Sequence, residues 1–183
     1  MIGAIIMTHG DERGLRLPPR VAPIQVVILP IAMHKEGVLD RANALAAELK
    51  KAGIRVELDD RDTYSAGWKF NEWEMKGVPV RLELGPRDIE NGVATTMRRD
   101  TLEKGTLPLD GIADALKALL DDIHLTLYRQ ADEFRQSHTY SALDMDELTR
   151  GVQDGFVKAA WCGEQACEDK IKELTNATSR NMP

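Results

Sequence analysis

Residues 24–58, IQVVILPIAMHKEGVLDRANALAAELKKAGIRVEL, decide the fold. The run from Ile24 to Ala32 is aliphatic and rich in β-branched residues, broken only by Gln25 and Pro30, which is the pattern of a strand buried on both faces. Val38, Leu39, Ala42, Leu45, Ala46, Leu49 and Ala52 then recur at helical spacing, and Gly53 stands where a helix stop is expected. Next, Ile54, Val56 and Leu58 alternate with Arg55 and Glu57, giving a short second strand that ends in Asp59 and Asp60. Strand, helix, strand is the right-handed crossover of an α/β sheet.

Toward the carboxy end, residues 68–77, WKFNEWEMKG, are enough for about two helical turns. VPVRLELG (78–85) reads as a third strand and NGVATTMR (91–98) as a fourth, paired to it across GPRDIENG (85–92), a hairpin-like connection rich in Gly, Pro, Asp and Asn. A long amphipathic helix is expected from Asp110 to Gln136, apolar at Ile112, Leu116, Leu119, Leu120, Ile123, Leu127 and Phe134. A further helix is expected from Met145 to Ala160, apolar at Leu148, Val152 and Phe156. The fold class is therefore α/β, a mixed sheet with flanking helices, followed by a small α-rich part. The expected divisions are a leading segment 1–22, a main domain 23–136 and a tail 137–183.

Toward the amino end, the apolar start MIGAIIM is followed by a passage punctuated by Gly10, Gly14, Pro18 and Pro19. An uncapped buried strand at the start, and Asn176–Pro183 without a closing element, lead to the expectation that both ends are cut from a longer chain. MIGAIIM has no basic leader and meets His9, Asp11, Glu12 and Arg13 at once, so it does not read as a secretory signal. The stretch Ile24–Met33 falls well short of the ~20 apolar residues a spanning helix needs. A cytoplasmic protein is expected. A net charge of -6 argues against a protein that coats nucleic acid, so any such site must be local. Hydrolytic and redox readings find no Gly-rich phosphate loop, nucleophile motif or metal triad, and His9, His34, His124 and His138 are scattered.

Three passages carry a resemblance to a known family. HGDERGLRLPPRVAPIQVVILPI (9–31) resembles the junction between the third class II motif and the anticodon domain of prolyl-tRNA synthetases, of the eukaryote- and archaeal-like type that some bacteria use. DDRDTYSAGWKFNEWEMKGVPVRLELGPRDIENG (59–92) is similar to that family's anticodon-reading region, and WCGEQACEDKIKELTNATSR (161–180) to its tail module. The resemblance implies the class II anticodon-binding fold for 23–136 and the start of a zinc-binding tail for 137–183. It also implies a ligase that activates proline with ATP, transfers it to tRNA(Pro) and dimerises through its catalytic core. The first two class II motifs are absent, and Met1 falls just past the third motif's arginine, so this chain by itself is expected to be inactive and monomeric or weakly self-associating. No catalytic role carries over to His9 or Asp11. An alternative is a free-standing accessory protein with the same fold and no catalytic half.

Proline anticodons share two guanines. Reading such edges in an unstacked loop calls for Arg or Lys donors, carboxylate acceptors and planar groups for stacking. By resemblance, Glu74, Arg81, Arg87 and Lys104 stand at the anticodon-contacting positions: Glu74 accepting from a guanine edge, Arg81 and Arg87 donating to guanine or phosphate, Lys104 reaching from the loop after the fourth strand. The competing reading is a solvated, salt-bridged surface, since residues 54–105 hold nine Lys and Arg against eleven Asp and Glu. Of Trp68, Phe70 and Trp73, at least two are expected in the core.

Cys162 and Cys167 supply half of a tetrahedral zinc set. The resemblance implies a second cysteine pair beyond Pro183, so zinc is expected only with ligands from there; otherwise the two are free thiols, with His138 or His124 as remote stand-ins. Many relatives have cysteine where this chain has Asn181, a position outside the metal-binding pairs.

Overall fold

The computed structural model describes residues 2–180. These form two compact units, one running to Leu127 and one from Tyr128.

The first unit is built on a five-stranded mixed sheet. In chain order its elements are α1 (Ile2–His9), a small hairpin of β1 (Gly10–Asp11) and β2 (Gly14–Leu15), β3 (Val26–Pro30), α2 (Val38–Lys51), β4 (Val56–Leu58), α3 (Ala66–Met75), β5 (Val80–Leu84), α4 (Pro86–Glu90), β6 (Val93–Arg98), β7 (Lys104–Pro108) and the first part of α5 (Ile112–Ser137). The strand order is β4-β3-β5-β6-β7. β3 lies parallel to both β4 and β5, as two helical crossovers require, and β5, β6 and β7 are antiparallel to one another.

β3 sits inside the sheet and is buried along its whole length. Val26 and Ile28 face a core shared with Ala42, Leu45 and Leu49 of α2 and with Ile112, Leu116 and Ile123 of α5. Val27 and Leu29 face the other way, against Trp73 of α3 and Val78, with Phe70 and Ile24 at the edge. Each such leucine or isoleucine contributes roughly 1.5–3 kcal/mol by leaving water. α2 stops where expected: Gly53 takes a φ of 84°, its N–H reaches the Lys50 carbonyl and that of Ile54 reaches Leu49, a Schellman motif.

Three expectations for this unit need correction. The apolar start is not a buried strand but the helix α1, which buries none of its residues. The connection 85–92 holds the short helix α4, because Pro86 stands at its first position and the Asp88 carboxylate accepts from the Gly85 N–H at 2.8 Å. Lys104 is not in a loop but opens a fifth strand, where it pairs with Met97.

The second unit contains the end of α5, β8 (Thr139–Ala142), α6 (Met145–Gly151), β9 (Phe156–Ala159) and α7 (Gln165–Thr175). β8 and β9 are parallel. The expected helix over 145–160 thus ends at Gly151 and gives way to a strand. The reason lies in the chain: Gly155 approaches the His138 carbonyl so closely that a Cβ would sit 2.2 Å from its oxygen, and the sequence FVKA after it favours a strand. No helix among the described residues is long and apolar enough to cross a membrane.

Candidate nucleic-acid interface

Alternation along β5 decides which side chains reach the sheet face that α3 partly covers. Val80, Leu82 and Leu84 point into the core, so Arg81 and Glu83 point the other way. The register sets Arg81 beside Met97 of β6 and Met97 beside Lys104 of β7. Three adjacent strands therefore present Arg81, Met97 and Lys104 in one row across this face.

Arg81 is held rather than free. Its Nε and Nη2 donate to Glu83 Oε1 at 3.2 and 3.0 Å, and its guanidinium carbon lies 4.0 Å from the centre of the Phe70 ring. Stacking on an aromatic face leaves the edge of a guanidinium available to donate, a geometry that lysine cannot supply. Lys104 reaches the other oxygen of Glu83 at 3.4 Å, with most of its side chain exposed.

Glu74 stands in the last turn of α3 and shares a cleft with Arg81, Met97, Arg99 and Leu102. Its Oε1 accepts from Arg13 Nη1 at 3.0 Å, and Oε2 has no donor among the described residues. Its backbone carbonyl accepts from Arg99 Nε at 2.9 Å, which caps the end of the helix. Arg99, 4% exposed, turns its two outer nitrogens onto Asp11 at 2.9 and 2.6 Å. Hydrogen bonds from Arg99 hold the Asp11 carboxyl down to about 2 against the cost of its burial. The Leu102 backbone, with φ of 60°, is in the left-handed region that non-glycine residues seldom occupy, at the turn that closes this cleft.

The hairpin β1–β2 lies against the same helix end. A Cβ on Gly14 would stand 2.5 Å from Met75 backbone atoms, and one on Gly77 would stand 2.6 Å from Leu15 Cβ. Both glycines have positive φ, so the close approach and the backbone conformation demand the same residue.

α3 is anchored from its other side by a buried charge. Asp59, 3% exposed, accepts from Trp73 Nε1 at 2.7 Å and from Arg61 at 2.9 and 2.7 Å, with Lys69 Nζ at 3.4 Å. Burial alone would push its carboxyl up, but the hydrogen bonds from Arg61 and Trp73 and the Lys69 charge outweigh it and hold the group well below the usual carboxylate range. Trp73 and Phe70 are thus committed to packing, as expected for two of the three aromatics. Trp68 is 43% exposed and stacks on Tyr64 with ring centres 4.0 Å apart.

Of the residues singled out from sequence, Glu74 and Arg81 share one cleft, and Lys104 joins Arg81 through Glu83. Arg87 is not part of that group. It sits exposed in α4, beyond the opposite end of β5, with no ion pair or side-chain hydrogen bond among the described residues. Sequence reasoning missed Glu83, Arg99 and Asp11. The alternation of VRLEL carries the signal for Glu83, whereas nothing local marks the Asp11–Arg99 pair.

Cys162 and Cys167 are free and exposed, their sulfurs 2.6 Å apart, with Cys167 on α7. Two thiols do not complete a zinc site, and no group of three or more His, Cys, Asp or Glu able to hold a metal exists among the described residues. His138 bonds instead to the Phe134 carbonyl and stacks on that ring. Asn181 and Pro183 lie outside the described residues.

Comparison with known proteins shows which family the chain resembles. Residues 25–119 match the family described as "Anticodon binding domain", and residues 145–183 match "Prolyl-tRNA synthetase, C-terminal". Along its whole length the chain is 55% identical to "Proline--tRNA ligase 2" of Clostridioides difficile (strain 630). It is likewise 56% and 57% identical to the proteins named "Proline--tRNA ligase" of Alkaliphilus oremlandii (strain OhILAs) and Acetoanaerobium sticklandii (strain ATCC 12662). The chain spans 38% of the length of each of these relatives. With the whole main sheet inside the matched span, the chain belongs to the anticodon-binding domain family, a tRNA-binding family.

Proposed function

We propose that this chain is the anticodon-reading portion of a proline–tRNA ligase, which joins L-proline to tRNA(Pro) with ATP through a prolyl-adenylate. The relatives' names supply the amino acid and the reaction. The full enzyme works in the cytoplasm as a homodimer. In this reading residues 1–22 lead in from the catalytic domain, 23–136 read the anticodon and 137–183 begin the tail.

The observation that carries the reading is the pairing of Glu74 and Arg81 in one cleft. Glu74 offers a free carboxylate oxygen, and Arg81 offers a stacked, forked cation. Guanine presents N1–H and N2–H donors on one edge and O6 and N7 acceptors on the other, so a carboxylate and a guanidinium side by side are the equipment for it. Arg81 and Glu74 take the base edges, and Lys104 and Arg87 take phosphates.

The test is an alanine series at Glu74, Arg81, Arg87 and Lys104, read as the affinity of the chain for a labelled proline anticodon stem-loop over a range of salt. Loss at a base contact costs about 1–3 kcal/mol and relaxes the choice of base, whereas loss of a phosphate contact lowers the salt slope by about one and weakens all RNAs alike. Alanine at Glu74 and Arg81 that left affinity and base preference intact would contradict the assignment.

A further inference from the structure

The ring of contacts around Glu74 joins residues far apart in the chain. Asp11 binds Arg99 through both carboxylate oxygens and accepts the Arg13 backbone N–H at 2.9 Å. Arg99 then holds the Glu74 backbone, and Arg13 holds the Glu74 side chain. One carboxylate on the β1–β2 hairpin thus fixes Glu74 by two routes, at its main chain and at its head group. Neither contact belongs to the apolar core between the sheet and α2 and α5. Arg13 is largely exposed, 60% for its side chain, while the Glu74 side chain is 17% exposed. The arrangement leaves Oε1 occupied and Oε2 open.

We propose that Arg13 is a positioning residue for guanine recognition, and that the hairpin Gly10–Leu15 is a working part of the anticodon site. The inference rests on the assignment of Glu74 made above. A glutamate that must meet N1–H and N2–H together needs its carboxylate plane fixed before the base arrives, because ordering a flexible side chain on binding lowers affinity. Arg13 fixes that plane from the solvent side with a single donor, and a carboxylate oxygen that accepts one such bond keeps a second lone pair for the base. Asp11 makes the effect depend on the hairpin: its hydrogen bond to the Arg13 main chain sets where that guanidinium starts.

The experiment measures the 183-residue chain against a labelled proline anticodon stem-loop and against the same RNA with both guanines replaced by inosine, which lacks the 2-amino donor. Arg13→Ala is expected to weaken guanine binding by about fivefold, shrink the guanine-over-inosine preference and leave the salt slope unchanged. Arg13→Lys, which keeps one donor, should restore the preference, and Asp11→Asn should act in the same direction as Arg13→Ala. A uniform loss for both RNAs with a salt slope lower by about one would make Arg13 a phosphate contact and overturn the inference. An unchanged preference in Arg13→Ala, with wild type selective, would also overturn it while sparing the role of Glu74. A wild-type chain that does not distinguish the two RNAs would remove the contact of Glu74 to the 2-amino group and overturn this inference. The reading of O6 and N7, which inosine retains, is tested separately by RNA in which both guanines are changed to other bases.

Discussion

Arg99 and Asp11 face each other through two hydrogen bonds of 2.6 and 2.9 Å although 88 positions separate them, and this pair closes the hairpin onto the end of α3. Arg99 is almost wholly buried there, so removing Asp11 strands a guanidinium as well as breaking two bonds. Asp11→Asn should lower the melting temperature at neutral pH, and Arg99→Ala should cost about 2 kcal/mol in chemical denaturation.

The same pair predicts a dependence on acidity. The Asp11 carboxyl, ordinarily at 3.8, is lowered to about 2 in the folded chain, so its contribution is full above about pH 4 and is lost as pH falls through 2. Melting curves of wild type and Asp11→Asn should keep a constant separation from pH 7 down to about 4 and converge toward pH 2. A separation that changed between pH 7 and 5 would point to another group.

Asp59 is buried with Lys69 and Trp73, so truncating it leaves an ammonium without its partner inside the protein. Asp59→Ala should destabilise the first unit by about 3 kcal/mol, measured by urea denaturation followed through tryptophan fluorescence. Asp59→Asn should cost less, because the amide oxygen can still accept from Trp73. Equal losses for the two variants would mean that the lost charge, and not the hydrogen bond from Trp73, carries the whole effect.

Arg81 combines a fork with an aromatic stack on Phe70, and lysine retains only the charge. Arg81→Lys should therefore lower stem-loop affinity by at least half the loss seen in Arg81→Ala, while the salt slope stays near that of wild type. Full retention of affinity in Arg81→Lys would show that charge alone is used.

In the second unit Gly155 has no room for a methyl group, since the nearest neighbour is the rigid backbone of His138. Gly155→Ala should destabilise that unit by about 2 kcal/mol. Hydrogen exchange should report it as faster exchange at β8 and β9, with the amides of β3 and β5 unchanged.

The sheet was legible in the sequence where periodicity was clean. β3, α2, β4 and β5 follow from the runs between Ile24 and Gly85, and α5 follows from its apolar stripe. β7 was missed because KGTLP is short, half polar and mostly exposed, so it has no inward stripe to read and is recognised only through its register with Val93–Met97. The parallel pair β8–β9 was hidden for a related reason: Leu148, Val152 and Phe156 keep a spacing of four across a helix end, which mimics one continuous helix. At the site, Glu74 and Arg81 were named from resemblance, and their shared cleft is a fact of three dimensions. The Asp11–Arg99 and Arg13–Glu74 pairs span 88 and 61 positions, and no local pattern announces a contact of that range.

The most direct test of the account is a titration of the wild-type chain with a labelled proline anticodon stem-loop and with one in which both guanines are changed, at a single moderate salt concentration. The account predicts tighter binding of the guanine-bearing RNA by at least about tenfold, the discrimination expected from one good pair of base contacts. Equal affinity for the two RNAs, abolished together by added salt, would contradict it.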